Sequence, residues 1–140
     1  RQMTGCKVAM HKAEEPILQA AQPAAAHWGF EPPKFQKPDL FLQDGERISV
    51  GNLVLTTLWT PGHSPGGLSF YVTELGVVFS GDCLFMQSIG RTDFPGGDFE
   101  TLITSIKTQL FTLPEDTRVG PGHGPSTTIS HEKRSNPFLS

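Results

Sequence analysis

Thr60-Pro61-Gly62-His63-Ser64-Pro65-Gly66-Gly67 is the stretch from which the fold can be predicted. It lies between two apolar runs, Leu53 to Trp59 and Leu68 to Val72, and both runs are predicted strands. The proline and glycine residues favour a tight turn in which backbone and side chain can both face a site. His63 is therefore predicted at the apex of a turn that is held by two strands.

Two further corners of this kind follow along the chain. Ser80-Gly81-Asp82 comes after the apolar run Val77 to Phe79, and the turn Gly120 to Pro125, which contains His123, comes after Arg118-Val119. Imidazole and carboxylate groups together suit zinc, and also iron or manganese. Because strands of one sheet end at a shared edge, the three side chains are expected to meet there. Spacing alone is equally consistent with ordinary tight turns that carry exposed histidines.

Composition places the chain among soluble globular domains. It has 140 residues, 36% hydrophobic and 18% charged, with a net charge of -3. No apolar run approaches the roughly 20 residues of a membrane span, and the polar start lacks the apolar region of a signal peptide. Two cysteines provide no disulfide framework. These features predict one domain, 1–140, in the cytoplasm, with neither nucleic acid nor membrane as a partner.

Helices are predicted from composition and periodicity. Ala13 to Trp28 is alanine-rich and begins with acidic residues, and Pro23 predicts a kink or a stop near Gln22. Gly29 is a predicted C-cap. From Phe99 to Leu110, apolar residues recur at the spacing of an amphipathic helix.

The other elements are predicted strands, joined by turn residues. Beyond those already quoted, strands are predicted at Cys6 to Met10, Arg47 to Val50, Gly76 to Ser80, Cys83 to Phe85 and Thr117 to Val119. The segment Ser126 to Ser140 is predicted to be a polar tail, with Pro137-Phe138-Leu139 as a docking end. Sheets covered by helices, an α/β (α+β) fold, are the predicted architecture.

The three corners resemble the successive metal-ligand motifs of the metallo-β-lactamase superfamily. Within it, Gly90 to Asp98 (Gly-Arg-Thr-Asp-Phe-Pro-Gly-Gly-Asp), Gly124-Pro-Ser-Thr-Thr and Glu132 to Phe138 resemble the glyoxalase II-like (hydroxyacylglutathione hydrolase-like) hydrolases. The resemblance extends from about Cys6 to the C-terminus. It implies a four-layer αββα sandwich with a site for one or two metal ions at one edge of the sheets.

The resemblance also implies roles for the corner residues. His63 would bind a first metal, His123 a second, and Asp82 would bridge them, with zinc as the expected ion and iron or manganese as alternatives. In the family, a metal-bound hydroxide attacks the carbonyl of a thioester or related ester, and two such cations lie about 3.5–4 Å apart. The implied activity is that of a thioesterase-type metallohydrolase acting on a small molecule.

One part of the family pattern is not found in this sequence. The His-x-His-x-Asp-His motif that supplies other ligands does not occur, and by the resemblance it would lie shortly before Arg1. The chain then contains three of the usual seven ligands and a partial domain without its N-terminal strands. We expect the exposed sheet face to be covered by self-association or by a complementing N-terminal segment.

Two other functions remain open on the sequence. An iron-dependent persulfide dioxygenase is one, because such relatives share a similar Gly-Arg-Thr-Asp loop. A non-catalytic or truncated remnant of the fold is the other, because the N-terminal motif is not in the sequence.

Four residues outside the corners are also interpreted in two ways. Arg91 and Asp93 are candidates for substrate binding, or they form a pair that stiffens their loop. Cys83 is a reactive thiol beside Asp82 or a buried, inert side chain. His11 is interpreted as a capping or surface residue rather than as a replacement ligand.

Overall fold

The computed structural model describes residues 4–27, 29–31 and 37–139. The strands are β1 (Ala9–Met10), β2 (Leu40–Phe41), β3 (Arg47–Val50), β4 (Leu53–Trp59), β5 (Leu68–Val72), β6 (Val77–Gly81), β7 (Leu84–Phe85), β8 (Ser88–Ile89), β9 (Arg118–Pro121) and β10 (Thr127–Thr128). The helices are α1 (Glu15–His27), α2 (Phe99–Ser105) and α3 (Ile129–Ser135). No helix in these ranges is long and apolar enough to cross a membrane.

A six-stranded sheet organises the described residues. Its order is β10-β9-β6-β5-β4-β3, and all neighbours are antiparallel except β6 and β9, which run parallel. The hairpin of β3 and β4 turns at Gly51-Asn52, between the two predicted strands. Two further strand pairs, β1 with β2 and β7 with β8, lie outside this sheet.

The apolar core lies between the sheet and the helices α2 and α3. Val78 and Val119 from the sheet pack with Leu102 and Ile106 from the α2 region, and all four side chains are fully buried. Ile129 brings α3 into the same cluster. Since successive side chains of a strand point to opposite faces, Phe79 lies on the other face of β6, where it is 49% exposed.

Helix α1 differs from the prediction at Pro23. The helix does not stop near Gln22 but continues through Pro23 to His27. Although proline costs about 3 kcal/mol in a helix interior, the alanines on both sides are the strongest helix formers. The end is a Schellman motif, because Phe30 N–H donates to Ala25 O and Gly29, at φ 75, donates to Ala26 O. The predicted last residue, Trp28, lies outside the described residues.

Helix α2 begins at the residue that its capping chemistry indicates. The side chain of Asp98 accepts a hydrogen bond from Thr101 N–H at 2.8 Å, which is the geometry of an N-cap. The helix runs to Ser105 and continues as a π-helical turn from Ile106 to Leu110. The predicted amphipathic helix is therefore confirmed in extent, with a wider last turn.

The C-terminal segment is not the polar tail that the sequence predicts. It contains β10 and α3. The predicted docking end is confirmed at Leu139, which is buried in the core, while Phe138 is 46% exposed. The prediction of a polar tail was wrong because Glu132, a residue typical of surfaces, is fully buried here. The available signal was Thr128, whose hydroxyl caps α3 by accepting from His131 N–H.

Candidate metal centre

The three predicted corners meet at one edge of the six-stranded sheet. Strands β4, β6 and β9 run in the same direction, since β5 is antiparallel to both of its neighbours and β9 is parallel to β6. Their C-terminal ends therefore share an edge, from which His63, Asp82 and His123 project. The shared edge that the sequence predicts is present in the fold.

The His63 loop is held by backbone contacts at both ends. Thr60 N–H donates to Gly67 O at 2.9 Å and closes the loop, while Asp98 N–H donates to Gly62 O at 2.8 Å and ties it to the start of α2. Gly62 has φ +127, and a Cβ there would lie 2.4 Å from the backbone of Leu102. The loop is thus pressed against α2, and glycine is needed for that approach.

The ring of His63 is oriented by a main-chain contact. Its Nδ1 lies 2.8 Å from the carbonyl oxygen of Arg91. Because a carbonyl can only accept, Nδ1 carries the proton, and the lone pair of a neutral ring is then on Nε2. A histidine that binds a metal is commonly fixed in this way by a hydrogen bond to its other nitrogen.

Asp82 lies between the two histidines. Its Oδ2 is 3.7 Å from His63 Nε2 and its Oδ1 is 3.4 Å from His123 Nε2. Each carboxylate oxygen therefore faces a different imidazole. The exposed fraction rises across the group, from 27% for the His63 side chain to 34% for Asp82 and 78% for His123.

These separations suit metal ligands better than direct hydrogen bonds. Both exceed the roughly 2.7–3.2 Å of a good N–H···O bond. Two ligands of one tetrahedral zinc ion, each about 2.0–2.2 Å from the metal, are about 3.3–3.6 Å apart. The distance of 3.4 Å to His123 lies within this range, and the distance of 3.7 Å to His63 lies just above it. Two imidazoles and a carboxylate are a donor set that zinc and iron accept, so the residues fit such an ion.

The three candidate ligands, His63, Asp82 and His123, do not form a complete coordination shell. Within residues 4–27, 29–31 and 37–139, no group of three or more His, Cys, Asp or Glu side chains is close enough together to hold a metal ion as it stands. Gly122 adds to the openness around Asp82, because a Cβ there would lie 2.4 Å from Asp82 Oδ1. The carboxylate thus occupies space that only a glycine leaves free.

A cavity of about 340 Å³ surrounds the three side chains. Besides them it is lined by Phe85, Gly90, Arg91 and Phe94. The Phe94 ring meets His63 edge-on with centroids 6.1 Å apart, and Phe85 lies 6.1 Å from the His123 ring. The site therefore combines a polar floor with aromatic walls, as small-molecule sites commonly do.

Arg91 and Asp93 form the pair that the sequence offers as one of two interpretations. Arg91 Nε and Nη2 donate to the two carboxylate oxygens of Asp93 at 2.7 and 2.6 Å. The guanidinium also lies 3.9 Å from the Phe94 ring centroid. The hydrogen bond from Arg91 lowers the pKa of Asp93 to about 2. These contacts stiffen the loop and support Phe94, while a role in substrate binding stays a prediction.

Cys83 is the buried, inert side chain, and His11 the capping residue, of the two interpretations given for each. Cys83 is 4% exposed, and burial raises the pKa of its thiol to about 12. His11 accepts a hydrogen bond from Ala13 N–H through Nδ1 at 3.2 Å, so it caps the 3₁₀ turn before α1. Its ring stacks on Trp59 with centroids 5.0 Å apart.

The buried carboxylate of Glu132 supports the site, and this role could not be recognised from the sequence. Glu132 of α3 accepts hydrogen bonds from Gln87 N–H at 2.9 Å, Thr127 Oγ1 at 2.5 Å and Asn136 Nδ2 at 2.8 Å. Asn136 also donates to Ser88 O. Gln87 has φ 54, which is rare for a residue other than glycine. Glu132 and Asn136 thereby anchor the β7–β8 hairpin that carries Phe85.

Comparison with known sequences places these residues in a family context. The profile described as the Metallo-beta-lactamase superfamily matches residues 4–123. A probable metallo-hydrolase, YqgX of Bacillus subtilis, is 55% identical over 96 residues, covering 69% of this chain and 45% of that protein. Hydroxyacylglutathione hydrolase GloC of Haemophilus influenzae is 52% identical over 99 residues, covering 71% and 47%. The chain spans about half the length of these curated relatives.

Solved structures agree with this result. The chain aligns with the crystal structure of the BLEG-1 B3 metallo-beta-lactamase at a TM-score of 0.89 and 39% identity, covering 100% of this chain and 68% of that one. It aligns with TTHA1623, solved in a di-iron-bound form, at a TM-score of 0.87 and 43% identity, covering 99% and 67%. The similarity therefore includes nearly the whole of the present chain.

Proposed function

The chain belongs to the metallo-beta-lactamase superfamily, and we propose that it acts in the metal-dependent hydrolysis of a small thioester or ester. The reaction adds water across the acyl bond, so that the carbonyl carbon gains a hydroxyl group and the leaving sulfur or oxygen gains a proton. The proposed class is the glyoxalase II-like thioesterase that the Gly90 to Asp98 loop resembles.

The observation that carries the proposal is the placement of Asp82 between two imidazoles at 3.4 and 3.7 Å. Asp82, His63 and His123 would hold zinc or iron, each histidine through Nε2. When bound, the metal supplies a Lewis acid that polarises the carbonyl and lowers the pKa of water. The hydrogen bond from His63 Nδ1 to Arg91 O keeps Nε2 directed at the site.

The surrounding residues favour an acyl substrate of modest size. Phe85 and Phe94 form apolar walls of the 340 Å³ cavity beside the carboxylate, and such walls limit the access of bulk water. The GloC relative is named for hydrolysis of hydroxyacylglutathione. For this chain we propose the same general chemistry, the transfer of an acyl group to water.

The metal is the first property to test. We expect the purified chain to bind zinc or iron, and Asp82→Ala and His123→Ala to weaken that binding by at least tenfold. His131→Ala is a matched control, because His131 is a partly exposed histidine that does not line the site cavity. Elemental analysis after dialysis against defined metal concentrations measures the effect. Unchanged metal content in both site variants would show that the assignment is wrong.

Activity assays distinguish the hydrolase from the persulfide dioxygenase and from a non-catalytic protein. Hydrolysis of an acyl-N-acetylcysteamine thioester, followed by thiol release and abolished by chelation, is the expected result. Oxygen consumption with a persulfide by the iron-loaded chain, without thioester hydrolysis, would favour a dioxygenase instead. A chain that binds no metal under any of these conditions would favour the non-catalytic interpretation.

A further inference from the structure

A second cavity adjoins the candidate metal centre. It measures about 420 Å³ and is lined by Glu14, Ile17, Ala20, Ala21, His63, Ser64, Phe94 and Pro95. His63 and Phe94 also line the 340 Å³ cavity that contains Asp82 and His123. The imidazole and the phenyl ring therefore form a wall that the two cavities share.

The walls of the second cavity are mainly apolar. From α1 it receives Ile17, Ala20 and Ala21, which are spaced i, i+3 and i+4 and so share one face of the helix. Phe94 and Pro95 close the opposite side. The two alanines are what leave the space, because a larger side chain at either position would extend into it.

The charged side chain that lines this cavity, Glu14, already accepts a hydrogen bond within the protein. Glu14 Oε2 accepts a hydrogen bond from Gly66 N–H at 2.7 Å, which ties α1 to the His63 loop. A carboxylate in that position disfavours a second anion, and no cationic side chain lines the cavity among the described residues. The chemistry therefore selects a neutral, apolar group.

From this arrangement we propose that the cavity under α1 binds the acyl chain of the substrate, and that the substrate is an ester or thioester of an apolar acid of short to medium length. The carbonyl lies beside His63 and Asp82, and the chain passes the edge of Phe94 towards Ile17 and Ala21. This inference rests on the proposed hydrolase function, but the binding site itself can be tested without catalysis.

Substitution within α1 provides the variants. Ala21→Leu fills the cavity with a residue that favours helix nearly as well as alanine. Ala26→Leu makes the same change on an exposed part of the same helix, away from the cavity, and is the matched control. Circular dichroism and thermal unfolding of both variants establish that the fold is retained.

Binding is measured first, by calorimetry, with ketone analogues in which CH₂ replaces the thioester sulfur. Each buried methylene is worth about a fourfold gain in affinity, so the hexanoyl analogue should bind at least tenfold more tightly than the acetyl analogue. Ala21→Leu should remove that tenfold preference while Ala26→Leu retains it. Equal affinities for the two analogues, or a preference unaffected by Ala21→Leu, would overturn the proposal.

Hydrolysis of the corresponding N-acetylcysteamine thioesters by the metal-loaded chain is the second readout. The same preference in kcat/KM, lost in Ala21→Leu and kept in Ala26→Leu, is expected. If no thioester or ester is hydrolysed but the chain-length preference in binding persists, the hydrolase proposal fails and the acyl cavity stands. If hydrolysis occurs without any chain-length preference, the cavity proposal fails and the hydrolase stands.

Discussion

Single atoms decide the geometry of the candidate metal centre. Each oxygen of Asp82 faces one histidine, and the carboxylate keeps this place because Gly122 has no side chain. Gly122 is not among the glycines with positive φ, so an alanine there meets no backbone strain. The backbone atoms of Gly81 would lie 3.3 Å from the new Cβ, so the main clash is with the Asp82 carboxylate.

We predict that Gly122→Ala weakens metal binding at least tenfold with little change in Tm. A Cβ at this position would lie 2.4 Å from Asp82 Oδ1, so the carboxylate must move. Gly124→Asn is the control, since position 124 faces open space and asparagine tolerates its φ of +76. Metal titration of the two variants measures the effect, and equal affinities in both would contradict the steric argument.

The pair of Arg91 and Asp93 predicts a pH dependence of the loop. The hydrogen bond from Arg91 lowers the pKa of Asp93 from 3.8 to about 2. Since the folded pKa lies below the unfolded one, the stabilisation is complete above about pH 5 and is lost as the pH falls through 2. Both side chains are more than half exposed, so this affects loop order more than global stability.

We expect carboxyl NMR titration to place the pKa of Asp93 near 2, and Arg91→Ala to return it to the ordinary range near 3.9. The same substitution should broaden the signals of Phe94, because the guanidinium packs 3.9 Å from that ring. An unshifted Asp93 in the unaltered chain would show that the pair does not persist in solution.

At the scale of elements, α3 acts on the site through the β7–β8 hairpin. Glu132 receives three hydrogen bonds in a fully buried position, one of them from Gln87 at the hairpin turn. A buried donor left without a partner costs about 1–3 kcal/mol. The carboxylate therefore contributes to stability mainly by satisfying its neighbours.

Glu132→Leu is predicted to lower the free energy of unfolding by about 3 kcal/mol, because the buried donors of Thr127 and Asn136 and the half-buried Gln87 N–H lose their acceptor. Glu132→Gln should cost about 1 kcal/mol or less, since the Thr127 hydroxyl can accept from the new amide while its oxygen still receives Gln87 N–H. Urea unfolding compares the variants. Equal losses in both would mean that charge, rather than acceptor capacity, is what the site requires.

Much of the fold could be predicted from local sequence, and the failures have physical causes. The three glycine-rich corners with residues 63, 82 and 123 can be predicted from the sequence, because each follows an apolar run. The shared direction of β4, β6 and β9 brings the three corners together. The contact from His63 Nδ1 to Arg91 O could not be predicted, because it joins a side chain to a distant carbonyl. The role of Glu132 could not be predicted either, since its burial depends on partners from three segments.

At the scale of the whole molecule, the sheet has one covered face and one that is partly open. Phe79 lies on the face opposite the helices and is 49% exposed, and its cross-strand partner is Phe70. Leu75 and Val77 line a cavity with it on the same side. Contiguous exposed apolar surface of this kind favours association.

We expect the chain to self-associate through this face in a concentration-dependent manner, and Phe79→Ser to reduce the association. Phe138→Ser is the control, because Phe138 is exposed to a similar degree, 46%, but lies beside α3. Sedimentation velocity over a range of concentrations provides the measurement. Identical sedimentation of both variants and the unaltered chain would exclude this face as the contact.

The parallel pairing of β6 with β9 also governs when the metal centre can first exist. Asp82 follows β6 and His123 follows β9, and the whole of α2 lies between them in sequence. Such non-local pairings form slowly, because the loop must close before its contacts stabilise it. A refolding chain should therefore acquire His63 and Asp82 as neighbours of one meander early, and His123 only at the final step. The appearance of metal affinity during refolding would then time the completion of the sheet.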